Sequence, residues 1–251
     1  MGPLYLNRTS PIWHKYNRTC TFKKSPGKER GKTCPFPWTT PTAHLLYNIN
    51  MLSLVIQAGG ESRRMGKDKA LMPFLGKTLI ERVIERLSGI ADELLVTTNK
   101  PESYAFLGLP LAQDLIPGRG ALGGLYTALS AASYQLVAVV ACDMPFASAS
   151  LLTFQRDLLL QHRFDAVIPR TAGGTEPFHA IYDRANCLPA VQAAIQADKW
   201  RVDAWFARAN VRLLAPEETH PHDPQGLTFW NVNTPEDLAE AETIAMAEKG
   251  D

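Results

Sequence analysis

The chain has 251 residues, 45% of them hydrophobic and 20% charged, with a formal net charge of +1. That size and balance suit one globular α/β domain with or without an appendage, and give no argument for a nucleic-acid or membrane partner. The charge is unevenly spread. Residues 1–50 hold eight Lys/Arg against one acid, Glu29, a net +7, which leaves −6 on residues 51–251. No run of about 18 apolar residues is present, so no transmembrane helix is expected, and the N-terminus lacks the apolar core of a signal peptide. Cys20, Cys34, Cys142 and Cys187 match neither a zinc nor a CxxC spacing. Four free thiols in a reducing cytoplasm are expected.

Residues 1–50 are rich in Pro, Thr, Asn and basic residues and show no sustained period of 2 or 3.6. They read as a basic, disordered or non-native extension. Met51, directly before the first strong strand, is a candidate start, and the competing reading is a basic tail for an acidic partner. Without secretion the Asn-x-Thr matches at Asn7 and Asn17 carry no weight.

From Leu52 the pattern is regular. Leu52–Ile56 is a short apolar run ending in glycines, a buried strand. Leu79, Ile80, Val83, Ile84 and Leu87 form a helical stripe over Thr78–Leu87. Glu93–Thr98 is a second strand. A Gly-rich loop, Gly118–Gly124, leads into a helix over Leu125–Ala132. Leu136–Ala141 is a Val-rich strand ending at Asp143. Helices are expected at Ser148–Leu160, Leu188–Ala197 and Val202–Ala209, and strands at Ala166–Pro169, Phe178–Tyr182 and Val211–Leu214. Thr234 caps a final helix, with Pro235 at its first position and Glu236 and Asp237 in its first turn. Strands alternating with helices predict a three-layer, doubly wound, mostly parallel sheet in a single domain over 51–251. Ligands of such sheets bind outside the carboxyl ends of the strands. Gly59, Asn99 and Asp143 each follow a strand there.

The segment Gln57–Lys69 has two physical capacities. Gly59 and Gly60 let backbone N–H groups form an anion nest. Arg64, Lys67 and Lys69 supply cations for a polyphosphate, and Ser62 a hydroxyl donor. The spacing is neither GxxxxGK[ST] nor GxGxxG, which excludes a P-loop NTPase and a dinucleotide-binding fingerprint. On its own the loop reads equally well as a surface loop with solvated Lys/Arg.

The run Ala58-Gly59-Gly60-x-Ser62-x-Arg64-Met65-Gly66-x-x-Lys69 after an apolar strand resembles the signature of the NTP-transferase superfamily of the nucleotide-diphospho-sugar-transferase type. Within it, the chain is similar to the molybdenum cofactor guanylyltransferase family. Gly76-Lys77-Thr78-Leu79-Ile80, Asn99, Asp114, Gly118-x-Gly120-Ala121-Leu122-Gly123-Gly124, Cys142-Asp143-Met144-Pro145 and Asn231-Val232-Asn233-Thr234-Pro235 follow in the family's order. The resemblance spans about residues 52–248 and leaves 1–50 uncovered.

That resemblance implies an enzyme, a cytoplasmic nucleotidyltransferase. It would move GMP from GTP to molybdopterin or the molybdenum cofactor and release pyrophosphate, with Mg²⁺ as cofactor. Gln57, Ala58 and Gly59 would contact guanine and ribose. The family usually has Leu where this chain has Gln57, so a contact there is expected from backbone rather than side chain. Arg64 and Lys69 would hold the triphosphate, Lys69 at the phosphate under attack. Asn99 and Asp114 would contact guanosine, a carboxylate being able to accept from guanine N1–H and its amine together. Asp143, ending a buried strand in Asp-x-Pro, is the metal candidate, since Mg²⁺ uses one or two carboxylates plus substrate phosphates. The competing reading, a helix cap, is weakened by Ser148, a better cap. Asn231 or Asn233 would assist at the metal or acceptor side. Glu176-Pro177-Phe178-His179 either lines the pterin side or contains a core histidine, and His220-x-His222 reads as a surface loop. Partners would be GTP, the pterin and cofactor-delivery or molybdoenzyme-chaperone proteins, with no nucleic acid or membrane.

Three rival functions remain at this point. A cytidylyltransferase on the same scaffold is disfavoured by Gly59-Gly60 and Asp114. A non-catalytic nucleotide-binding adaptor would need neither Lys69 nor Asp143. A sugar-phosphate nucleotidyltransferase would carry a longer chain and a second domain.

Overall fold

A computed structural model describes residues 50–59 and 68–248. The extension over residues 1–49 and the loop positions Gly60 to Lys67, including Ser62, Arg64 and Lys67, lie outside the described residues.

The central sheet grows outward from β1 (Leu52–Gln57), whose first five residues are fully buried. β1 lies parallel to both β4 (Glu93–Thr97) and β6 (Leu136–Ala141). Beyond β4 the edge strand is β5 (Leu111–Ala112), also parallel. Beyond β6 comes β9 (His179–Asp183), which runs antiparallel to it, followed by β7 (Ala166–Thr171) and β10 (Val211–Leu214). The order is β10-β7-β9-β6-β1-β4-β5, with β8 (Gly174–Thr175) folded back on the end of β7. A separate ribbon pairs β2 (Pro73–Phe74) with β3 (Lys77–Thr78). The mostly parallel, doubly wound sheet matches the expected architecture.

Helices cover both faces, and the period-2 alternation of β1 shows how. Leu54 and Ile56 face a cluster with Ile80 and Val83 of α1 (Leu79–Leu87), and with Leu151 and Leu159 of α4 (Ala149–His162). Val55 faces the other side, with Leu122, Leu125 and Leu129 of α3 (Gly120–Ala131) and Val191 and Ile195 of α5 (Arg184–Gln196). Each fully buried aliphatic side chain contributes on the order of 1.5–3 kcal/mol. A smaller cluster of Phe74, Leu79, Phe146, Val232 and Ala241 seats the last helix, α7 (Pro235–Ala247), against the β2–β3 ribbon. Two short helices, α2 (Pro101–Tyr104) and α6 (Pro216–Thr219), complete the set among the described residues.

Ser148 caps α4 and Thr234 with Asp237 caps α7, as the sequence places them, and Thr78 with Glu81 adds a capping box on α1. Three elements differ from expectation. The α3 helix starts at Gly120 rather than Leu125, so Gly123 and Gly124 are helical and not loop. α5 starts at Arg184 rather than Leu188 and carries Pro189 in its interior, its N-terminus held by the Asp183 carboxylate. Within Val202–Ala209 only a 3₁₀ turn at Phe206–Arg208 forms, anchored by the fully buried Trp205.

Candidate active site

The carboxyl ends of β5, β4, β1 and β6 and the amino end of β9 share one edge of the sheet. Adjacent strands stand about 4.8 Å apart, so the groups that follow them form a row. Asp114 and Asn99 lie at one end, Gln57 to Gly59 and Asp143 in the middle, and Glu176 beyond.

At the β5–β4 end, Asn99 and Asp114 hold each other. Asn99 Nδ2 donates to Asp114 Oδ2 at 2.7 Å, and the Asp114 amide donates to Asn99 Oδ1 at 3.2 Å. The loop behind them is tied to α3: the Leu115 amide donates to Thr127 Oγ1, whose hydroxyl donates to the Gly123 carbonyl, both at 3.0 Å. Gly118 and Gly120 turn this loop into α3 at φ of +81° and +55°, values only glycine takes without strain.

In the middle, Lys69 opens a 3₁₀ turn capped by Asp68, whose carboxylate accepts from the Ala70 amide at 3.3 Å. Its ammonium donates to Asn233 Oδ1 at 2.8 Å. Asn233 is fixed in turn: its amide donates to Asp237 Oδ2 at 2.8 Å and its Nδ2 to the Asn231 carbonyl at 3.2 Å. Between them the Val232 amide donates to the Asp143 carbonyl at 2.9 Å. The Asn231–Thr234 loop thus clamps Lys69 and Asp143, which are distant in sequence, to one another's neighbourhood. Burial raises the Asp143 carboxyl above the usual carboxylate range, and the Lys69 charge opposes that rise. The adjacent Cys142 thiol is pushed up by burial, with the charges of Asp143 and Asp68 adding to the effect. Asp143 caps no helix; α4 is capped by Ser148, whose Oγ accepts from the Leu151 amide at 3.1 Å.

Among the described residues no cluster of three or more His, Cys, Asp or Glu is arranged to hold a metal by itself. The donor chemistry of one partly desolvated carboxylate, that of Asp143, nonetheless fits Mg²⁺, which completes its shell with phosphate oxygens and water.

Beyond β6, Glu176 is half-buried. Burial raises its carboxyl, and the Thr171 hydroxyl, donating at 2.9 Å, counters this. His179 is a core residue. It is fully buried, its Nε2 accepts from the Ser148 amide at 3.1 Å, and its ring meets Phe229 edge-on. His222 is occupied by stacking on Phe154 and by a 2.8 Å contact with Ser150.

Sequence reasoning passed over two features. The unnamed residue in Gly118-x-Gly120, Arg119, donates to Asp198 at 2.6 Å and lies over the exposed Trp200 ring at 4.6 Å. The other is the side chain of Gln57, which packs on Gly124. Alternation from Val55 could have placed Gln57 on the α3 face. Of the expected site residues, Gln57, Ala58, Gly59, Lys69, Asn99, Asp114 and Asp143 all fall on this edge, and Arg64 is outside the described residues.

Residues 54–212 match the model of the MobA-like NTP transferase domain. The chain belongs to that family. Over 194 residues it is 32% identical to the molybdenum cofactor guanylyltransferase of Desulfosudis oleivorans, spanning 77% of this chain and 95% of that one. The molybdenum cofactor guanylyltransferase of Syntrophotalea carbinolica is 30% identical, covering 74% and 88% of the two chains. The crystal structure of molybdopterin-guanine dinucleotide biosynthesis protein A from Archaeoglobus fulgidus superposes with a TM-score of 0.67 at 27% identity, over 78% of this chain and 99% of the other. The 2-C-methyl-D-erythritol 4-phosphate cytidylyltransferase of Thermus thermophilus, at 20% identity and a TM-score of 0.53, shares the fold. This MobA-like chain is therefore a nucleotidyltransferase of molybdenum cofactor biosynthesis. None of its helices, among the described residues, is long and apolar enough to cross a membrane.

Proposed function

We propose that the protein transfers GMP from GTP to the terminal phosphate of molybdopterin or the molybdenum cofactor, releasing pyrophosphate. The observation that carries this reading is the clamp of Lys69 and Asp143 by the Asn231–Thr234 loop, in line with the Asn99–Asp114 pair. One end of the row suits a base and the middle a triphosphate. Asp114 accepts from guanine N1–H and its amine, a donor pair that cytosine lacks. Asn99 orients that carboxylate, and Ala58 and Gly59 line the ribose.

The acceptor phosphate attacks the α-phosphorus in line; a new P–O bond forms there as the bond to the β-phosphate oxygen breaks. The acceptor is already an anionic nucleophile, so no covalent enzyme intermediate is required. Catalysis is positioning and charge neutralisation. Lys69, held by Asn233, meets the charge that develops on the α-phosphate, and Arg64 adds a second cation to the triphosphate. Asp143 would hold Mg²⁺, which when bound neutralises the polyphosphate and the departing pyrophosphate. The pterin enters from the Glu176 side, opposite the base. The reaction belongs in the cytoplasm, with cofactor-delivery or molybdoenzyme-chaperone proteins as exchange partners.

The test is pyrophosphate release by the full chain with Mg²⁺ and carrier-bound molybdopterin, each NTP supplied separately. Turnover with GTP alone is the expected result. Preference for CTP would replace the reading with a cytidylyltransferase, and no turnover with any NTP would leave a binding protein.

A further inference from the structure

Gln57 stands where a buried apolar residue would be the physically cheaper choice. It is the last residue of β1 and continues the Val55 face toward α3. Its backbone is fixed by the sheet: the carbonyl accepts from the Cys142 amide at 3.1 Å, and the next amide, of Ala58, donates to the Thr97 carbonyl at 2.8 Å. The side chain therefore starts from a fixed point and lies flat on the glycine surface of α3. A Cβ on Gly124 would fall 1.7 Å from Gln57 Nε2 and 2.8 Å from its Cδ. The carboxamide occupies the space that the missing side chain of Gly124 leaves.

Its Oε1 is buried and accepts no hydrogen bond among the described residues. A buried amide oxygen without a donor costs about 1–3 kcal/mol. Nothing in β1 or α3 compensates, and a Leu or Met would fill the same volume without that cost. Orphaned buried polar groups call for a specific explanation. Here the location supplies one: Gln57 pairs with Thr97 at the strand end that leads to Asn99, and its carboxamide lies on α3, to which the loop of Asp114 and Leu115 is tied, on the edge read above as the base site.

We infer that the Gln57 carboxamide, rather than its backbone, is a specificity determinant for the purine. It reads the edge of guanine that Asp114 leaves free. Guanine's 2-amino group carries two hydrogens. Asp114 takes the one beside N1–H; Gln57 Oε1 accepts the one beside N3, and Gln57 Nε2 donates to N3 itself. Both 2-amino hydrogens are then bonded, and hypoxanthine, which lacks that amine, leaves Oε1 orphaned again. This inference rests on the guanylyl reading and adds the side chain that would set its stringency.

The test compares GTP, ITP and CTP on the full chain with Mg²⁺, by nucleotide-binding calorimetry and by pyrophosphate release, in wild type, Gln57→Met and Gly124→Ala. Gln57→Met keeps the volume and removes the amide. Gly124→Ala keeps Gln57 but pushes its carboxamide out of place. The expected result is that the GTP-over-ITP ratio falls about tenfold or more in both variants, the scale of one lost hydrogen bond to an otherwise satisfied amine. The urea midpoint of Gln57→Met is expected to equal or exceed wild type, which separates the effect from misfolding. GTP preference over CTP with an unchanged GTP/ITP ratio in both variants overturns the inference alone. CTP preference in the wild type overturns the guanylyl reading and the base assignment with it.

Discussion

Gly123 and Gly124 are consecutive, both helical, and both within the first two turns of α3, yet alanine is expected to act on them differently. A glycine-to-alanine change inside a helix gains about 0.5–1 kcal/mol from backbone entropy. Against this stands what the new methyl meets. At Gly123 it would lie 2.8 Å from Arg119 Cβ and 3.1 Å from the Ile116 carbonyl oxygen. Those atoms belong to the rigid start of a chain segment, so the helix entry must shift, at an overpacking cost of about 1–3 kcal/mol. At Gly124 the obstacle is the tip of the Gln57 side chain, which can swing away. Gly123→Ala is therefore destabilised by about 1 kcal/mol, Gly124→Ala is near neutral, and Gly124→Ala in a Gln57→Ala background gains about 1 kcal/mol over its parent. In a domain of this size 1 kcal/mol corresponds to about 2–4 °C in Tm. Urea and thermal unfolding of the four variants read the cycle directly. The same effect of Gly124→Ala in the Gln57→Ala background as in wild type would refute the reasoning, because the obstacle would then not be that carboxamide.

Asp143→Asn is expected to bring turnover below detection while raising the urea midpoint at pH 7. Burial lifts its folded-state pKa, so the ionised carboxylate opposes folding once the pH exceeds the usual carboxylate range; a lowered midpoint would contradict this. Lys69→Met should cost about 10²–10³ in kcat, the scale of one lost charge-stabilising donor, and Asn233→Ala a smaller part of it; full activity in Lys69→Met would remove it from the reaction. His179 has its pKa lowered to about 4 by burial, from an unfolded value near 6.5. Stability is then complete above about pH 6.5 and falls by about 3 kcal/mol as pH drops toward 4. A pH series of unfolding midpoints should show that slope, and His179→Gln should flatten it.

The regular elements were legible because their periods are strong: Leu136–Ala141 and Val211–Leu214 have the bounds that the pattern assigns. The misreadings have local causes. Four glycines argue for a loop, yet Gly120, Gly123 and Gly124 enter α3, because Arg119, Ile116 and Gln57 occupy the space around the latter two. The expected start of α5 at Leu188 is one turn late: Asp183 caps the helix, and Pro189 lies in its interior. The two-residue strands β5 and β8 are too short to carry a period at all. Val202–Ala209 has helical spacing, but Trp205 is drawn wholly into the core beside Tyr182 and Phe206, and only a 3₁₀ turn survives.

For the site, residue types and strand ends could be read in sequence, but strand order could not. Asn99 and Asp143 each follow a strand that the pattern shows, the short strand before Asp114 leaves no pattern to read, and any permutation of the sheet would satisfy that. The order β5-β4-β1-β6-β9 turns three isolated polar residues into a line with a direction. It puts Asp114, the proposed acceptor of guanine's donors, at one end, Lys69 and Asp143 at the centre, and Glu176 past them. Contacts far apart in sequence fix that line: Lys69 to Asn233 spans 164 residues, and Asp143 reaches Val232. A substitution at Asn233 should therefore disturb the phosphate end and spare base discrimination, while one at Gln57 should do the reverse. The division of labour follows from the sheet, and no single motif contains it.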